Sequence, residues 1–124
     1  MNKRYCVLTV ESESGNFRVL SRFLEKLGVE ALRVRGLDEI RAALDSGRPV
    51  FAAIIDVRGQ GAEVRDYCRL LNEKGVPALV ISPGESFKGS RPGYGYGAKW
   101  VFKKPVIMRE LADCIRTCLP HEAR

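Results

Sequence analysis

The chain has 124 residues, 45% of them apolar, enough to bury the core of one compact domain and too few for a second of comparable size. A formal net charge of +6 arises from 21 Lys and Arg against 15 Asp and Glu, but the basic residues are spread along the chain, with no block interleaved with aromatics, and they read as a solvated surface. Nucleic acid is therefore not expected as a partner of this domain alone. The apolar run after "MNKR" is too short for a signal peptide or a membrane span, so a cytoplasmic chain with no membrane partner is expected.

"YCVLTV" (5–10) is a continuous apolar run rich in strand formers, the pattern of a strand buried on both faces. Phe17, Leu20, Leu24 and Leu27 then recur at helical spacing, with Gly28 placed to end the helix. "VEALRV" (29–34) alternates weakly and reads as a strand nearer an edge, and "LDEIRAALDSG" (37–47) reads as a short helix closed by Gly47. "VFAAIID" (50–56) is a second buried strand, ending on a carboxylate. Val64, Tyr67, Cys68 and Leu71 mark a helix ended by Lys74 and Gly75. "PALVIS" (77–82) is a strand ending on a hydroxyl, "KWVFKKP" (99–105) a strand ending on lysines and a proline, and Ile107, Leu111, Ile115 and Cys118 mark the last helix.

Alternating buried strands and amphipathic helices predict an α/β fold, a doubly wound parallel sheet of five strands in a single domain over residues 1–124. One stretch breaks the alternation. "SPGESFKGSRPGYGYGAKW" (82–100) carries five glycines and two prolines where a fourth helix is due, and residues 83–98 are expected to form an irregular loop in its place. The cysteines Cys6, Cys68, Cys114 and Cys118 form no CxxC pair and are expected as reduced, mostly buried thiols; Cys114, Cys118 and His121 have the spacing of one helix face, but three ligands without a fourth make a weak metal signal.

Ligands of a doubly wound sheet bind at the carboxyl ends of the strands. The first strand ends in Glu11, Ser12 and Glu13, the third in Asp56, the fourth in Ser82 and the fifth in Lys103, Lys104 and Pro105. Each is explicable alone as a polar strand end meeting solvent. Together they describe phosphoryl chemistry: a carboxylate nucleophile, acidic groups for a divalent cation, a hydroxyl donor and an ammonium to pair phosphoryl oxygens.

At these motifs the chain resembles the receiver domains of two-component response regulators, the CheY-like family, over nearly its whole length. "VLTVES" is similar to the first strand with its acidic pair, "AIIDV" to the phosphoacceptor strand, "ALVIS" to the fourth strand and "VFKKP" to the Lys-Pro strand end. The resemblance implies the flavodoxin-like/CheY-like strand order 2-1-3-4-5 and a domain that is not a freestanding enzyme. It implies Asp56 as phosphoacceptor assisted by Ser82 and Lys104, and a cis Lys-Pro peptide at Pro105. It also implies Mg2+ held by Glu11, Ser12, Asp56 and the backbone carbonyl of Arg58. The implied partners are a sensor histidine kinase or phosphotransfer protein, and an output protein or covalently linked effector domain; homodimerisation stays open. Met1 and the end at "LPHEAR" fit a stand-alone protein or an N-terminal fragment.

Four departures from the family pattern weaken the switch. Ser12 replaces a carboxylate expected to touch the cation, so Mg2+ should bind weakly. The loop "VRGQGAEV" (57–64) is short and carries Arg58. Val101 occupies the aromatic switch position, and the fourth helix is missing. Two versions of the function follow: phosphorylation of Asp56 with weakened metal dependence, or a phosphorylation-independent pseudo-receiver that binds protein partners. An alternative resemblance is to flavodoxins, in which "SESGN" (12–16) would wrap the phosphate of FMN; Phe17 in place of a hydroxyl residue and the charges of Glu11 and Glu13 oppose it. As plain structure, Ser14 or Asn16 would cap the first helix, with Gly15 easing the turn.

Overall fold

The computed structural model describes residues 4–10, 14–57, 63–82 and 97–121. Five strands, β1 (Cys6–Val10), β2 (Glu30–Val34), β3 (Val50–Asp56), β4 (Ala78–Ser82) and β5 (Trp100–Lys103), form one parallel sheet in the order β2-β1-β3-β4-β5. Among the described residues, four helices connect or follow them: α1 (Ser14–Lys26), α2 (Gly36–Asp45), α3 (Val64–Glu73) and α4 (Met108–Cys118). The expected strand order is the observed one.

The sheet is wrapped on both sides, which is why its central strands are continuous apolar runs. Every residue of β1 and β4 is buried, and β3 is buried from Phe51 to Asp56. Alternation along each strand sorts the side chains into two cores. Leu8, Val10, Ala53, Ile55, Ala78 and Val80 face α2 and α3, where they meet Ile40, Tyr67, Cys68 and Leu71. Val7, Ala52, Ile54, Leu79 and Ile81 face α1 and α4, where they meet Leu20, Leu24, Leu111 and Ile115.

β2 is the edge strand beside β1, as its weak alternation suggested, and is only half-buried up to Leu32 and Arg33. Gly28, with φ of 84°, turns the chain out of α1 in the left-handed region where a glycine carries no penalty. β5 is shorter than expected, four residues instead of seven; at its carboxyl end Pro105 has no N–H to continue the ladder. The Lys104–Pro105 peptide is cis. The expected irregular segment, 83–98, lies outside the described residues except for Gly97 and Ala98, which lead into β5 without regular structure.

No disulfide joins the four cysteines; Cys6 and Cys68 are buried and Cys114 and Cys118 half-buried. Burial pushes the Cys68 thiol up to about 11 and raises the Cys6 and Cys114 thiols as well. No helix among the described residues is long and apolar enough to cross a membrane.

Candidate functional site

Among the described residues, the carboxyl ends of β3, β4 and β5 meet at one rim of the sheet. Asp56 is the last residue of β3, pairs in register with Ile81 of β4, and keeps only 6% of its side chain exposed. Alternation turns its carboxylate to the α1/α4 side, since Ile55 before it faces the other core. A carboxylate this buried needs compensation in charge and in hydrogen bonds.

Two side chains supply it. Lys104, just past the end of β5, brings Nζ to 3.2 Å from Asp56 Oδ1. That contact is an ion pair without hydrogen-bond alignment: Oδ1 is fully buried and accepts no hydrogen bond. The other oxygen is held differently. Asn16, in the first turn of α1, donates from Nδ2 to Asp56 Oδ2 at 3.1 Å. The lysine is tethered by backbone, its N–H donating to the Ser82 carbonyl at 3.1 Å.

Ser82 is fully buried at the end of β4, but its hydroxyl donates to the Phe102 carbonyl at 3.4 Å and not to Asp56. That bond is near the upper limit of length, so a χ1 rotation frees the hydroxyl at small cost. Asp56 and Lys104 are thus brought into contact, and Ser82 stands at the same rim, turned toward β5. Val101, at the expected switch position, packs against the α2/α3 core, while Trp100 and Phe102 pack against the α1/α4 core.

Asn16 is the residue that reading the sequence missed. It was expected as a helix cap, yet α1 already begins at Ser14 and the Asn16 amide is spent on Asp56. A local signal existed: an amide in the first turn after a strand whose carboxyl end lines the rim. The same observation bears on the flavodoxin-like alternative. Ser14, Gly15 and Asn16 are helical, and Asn16 is directed at a carboxylate, an anion that would repel a flavin phosphate.

Of the expected Mg2+ ligands, Glu11, Ser12 and Arg58 lie outside the described residues and Asp56 alone lies inside. Among the described residues no group of three or more His, Cys, Asp or Glu is gathered to hold a metal, and Cys114, Cys118 and His121 form no such group. The described part of the site does not fit a divalent cation: one Asp56 oxygen faces an ammonium and the other an amide N–H.

The carboxylate opens into a cavity of about 310 Å³ between α1 and α4. Its walls are mostly apolar, with Leu20, Ile81, Val106 and Leu111 around Asn16, Asp56 and Lys104. Val19, Ile107 and Met108 leave large apolar surface exposed, and two of them, Val19 and Met108, line this cavity.

No protein-family model matches the chain, and no curated protein matches it. Solved structures do. A response regulator receiver protein from Pseudomonas putida is 22% identical with a TM-score of 0.74, the match covering 94% of this chain and 99% of that one. The chemotaxis response regulator CheY4 of Vibrio cholerae is 20% identical with a TM-score of 0.71, over 94% and 99% of the two chains. The receiver domain of a signal transduction histidine kinase from Syntrophus aciditrophicus is 24% identical with a TM-score of 0.71, over 92% and 89%. The chain has the fold of response-regulator receiver domains.

Proposed function

We propose that this chain is a receiver module of two-component signal transduction that accepts a phosphoryl group on Asp56. The observation that carries the reading is the buried Asp56 carboxylate with Lys104 Nζ at 3.2 Å, at the carboxyl rim of a receiver-type sheet. A structural ion pair alone is a weaker account, because burying a carboxylate costs more than most pairs return, and an apolar residue would serve stability better there.

The donor on this reading is the phosphohistidine of a sensor kinase or phosphotransfer protein. The Asp56 carboxylate attacks phosphorus; the new P–O bond forms as the P–N bond breaks. The electron pair of that bond leaves with the imidazole nitrogen, which takes a proton. Lys104 follows the transferred oxygens, since its side chain is 45% exposed and free to move with them. Ser82, released from Phe102, donates to another phosphoryl oxygen. Water attack on phosphorus later returns the carboxylate and inorganic phosphate. The domain is in this sense a substrate and self-hydrolase, not a freestanding enzyme, and it works in the cytoplasm through an output protein or linked effector.

The second reading, a pseudo-receiver that binds partners without phosphorylation, is favoured by the contacts on both Asp56 oxygens, the Lys104 ammonium beside Oδ1 and the Asn16 amide donating to Oδ2. Incubation with phosphoramidate, a small P–N donor, followed by intact-mass measurement separates the two. A single phosphoryl adduct lost in Asp56→Asn supports the acceptor; no adduct on the wild-type chain rejects it and leaves the pseudo-receiver.

A further inference from the structure

We infer that Asn16 is a positioning residue that stands in for a divalent cation at Asp56 Oδ2. The inference rests on the reading of Asp56 as phosphoacceptor and deepens it by assigning how the carboxylate is neutralised and aimed.

A magnesium ion binds a carboxylate oxygen at about 2.0–2.1 Å and brings an octahedral shell with it. Asn16 Nδ2 lies 3.1 Å from Oδ2, with the partly positive amide hydrogens directed at the oxygen. The amide orientation follows from its partner, because the carboxylate only accepts. A cation entering there would meet those hydrogens, and would meet the Lys104 ammonium beside the neighbouring oxygen, 3.2 Å from Oδ1. Both effects are repulsive, and Coulomb repulsion is least screened beside a side chain only 6% exposed. Asp56 thus has its charge balanced by Lys104 and its orientation fixed by Asn16. The two tasks of a bound cation, neutralising and orienting, fall to an ammonium and an amide.

Asn16 is suited to the test because it is an exposed residue of the first turn of α1, with only its amide tip engaged. Asn16→Ala removes the donor. Asn16→Asp removes it and adds a carboxylate beside Oδ2, an oxygen ligand of the kind a hard cation takes. Neither change touches the Leu20 and Leu24 contacts that anchor the helix.

The experiment is a magnesium titration of the full chain, without any phosphoryl donor, read by the amide NMR signals of Asp56 and Lys104. We expect wild-type protein to show no saturable shift into the millimolar range. Asn16→Ala should show weak saturation, and Asn16→Asp should bind magnesium about tenfold more tightly than Asn16→Ala or better. A merely structural Asn16 would leave these cation-dependent shifts unmoved. Saturable wild-type binding that neither variant strengthens overturns the inference. If Asp56 takes no phosphoryl group from phosphoramidate, the acceptor reading fails by itself, and the titration still decides this one.

Discussion

Lys104 Nζ lies 3.2 Å from Asp56 Oδ1, a half-exposed ammonium set against a carboxylate that is 6% exposed. The asymmetry sets the energetics. Removing the lysine strands a buried charge, whereas removing the carboxylate leaves an ammonium that water can reach. Lys104→Met is therefore expected to lower unfolding free energy by about 1–2 kcal/mol near neutral pH. Asp56→Asn should be close to neutral or stabilising, and the double variant should recover most of the Lys104→Met loss. Urea denaturation of the four proteins checks the cycle; a Lys104→Met loss that persists in the double variant would place its cause outside the pair.

On the proposed reading the same pair governs the phosphoryl chemistry. Lys104→Ala should cut the rate of phosphoramidate labelling of Asp56 by about 10²-fold or more, as loss of a charge-stabilising donor does elsewhere. Ser82→Ala should cost less, because its hydroxyl must first leave the Phe102 carbonyl. Time courses of intact mass measure both, and equal rates for wild type and Lys104→Ala would remove the lysine from the mechanism.

Cys68 provides a pH test of the core. Burial among the α3 contacts pushes its thiol from 9.0 up to about 11. Since the raised value favours the neutral thiol in the folded chain, its stabilising effect is complete below pH 9 and lost as pH rises toward 11. Wild type should lose on the order of 2 kcal/mol more stability than Cys68→Ala across that interval. Denaturation midpoints at matched pH values give the difference. In the native state a thiol reagent at pH 8 should modify the half-buried Cys118 well before Cys68.

Entry into β5 depends on a link from α3. Asn72 Nδ2 donates to the Gly97 carbonyl at 3.1 Å, and Gly97 has φ of 79°. Gly97→Ala should cost about 1–2 kcal/mol for the left-handed backbone. Asn72→Ala should cost about 0.5–1.5 kcal/mol. Hydrogen exchange of the Lys99 amide, which donates to the Ala78 carbonyl, should quicken in both. Unchanged exchange there would show that β5 is held by its ladder alone.

The strands and the Asp56–Lys104 pair were legible because burial on both faces writes a continuous apolar run, and a doubly wound sheet brings strand ends to one rim. Thus "VFAAIID" marks β3 residue for residue, and the ends of two apolar runs place Asp56 and Lys104, 48 positions apart, at the same rim. Asn16 was not legible, because a side chain in a first helical turn reads equally as a cap, and its bond to Asp56 joins residues 40 positions apart. Nor was the direction of the Ser82 hydroxyl, which a single torsion decides. Glu11, Ser12, Arg58 and most of the 83–98 stretch fall outside the described residues, so the expected cation ligands and the expected loop remain expectations.

The most direct measurement is amide NMR of the labelled chain with beryllofluoride, a stable mimic of the acyl phosphate, in the presence and in the absence of magnesium. The account predicts shifts centred on Asp56, Ser82 and Lys104 in both conditions, because Lys104 and Asn16 already balance and orient the carboxylate. Shifts only with magnesium would keep Asp56 as the acceptor and remove the role assigned to Asn16. A spectrum unchanged in both would contradict the phosphoacceptor itself.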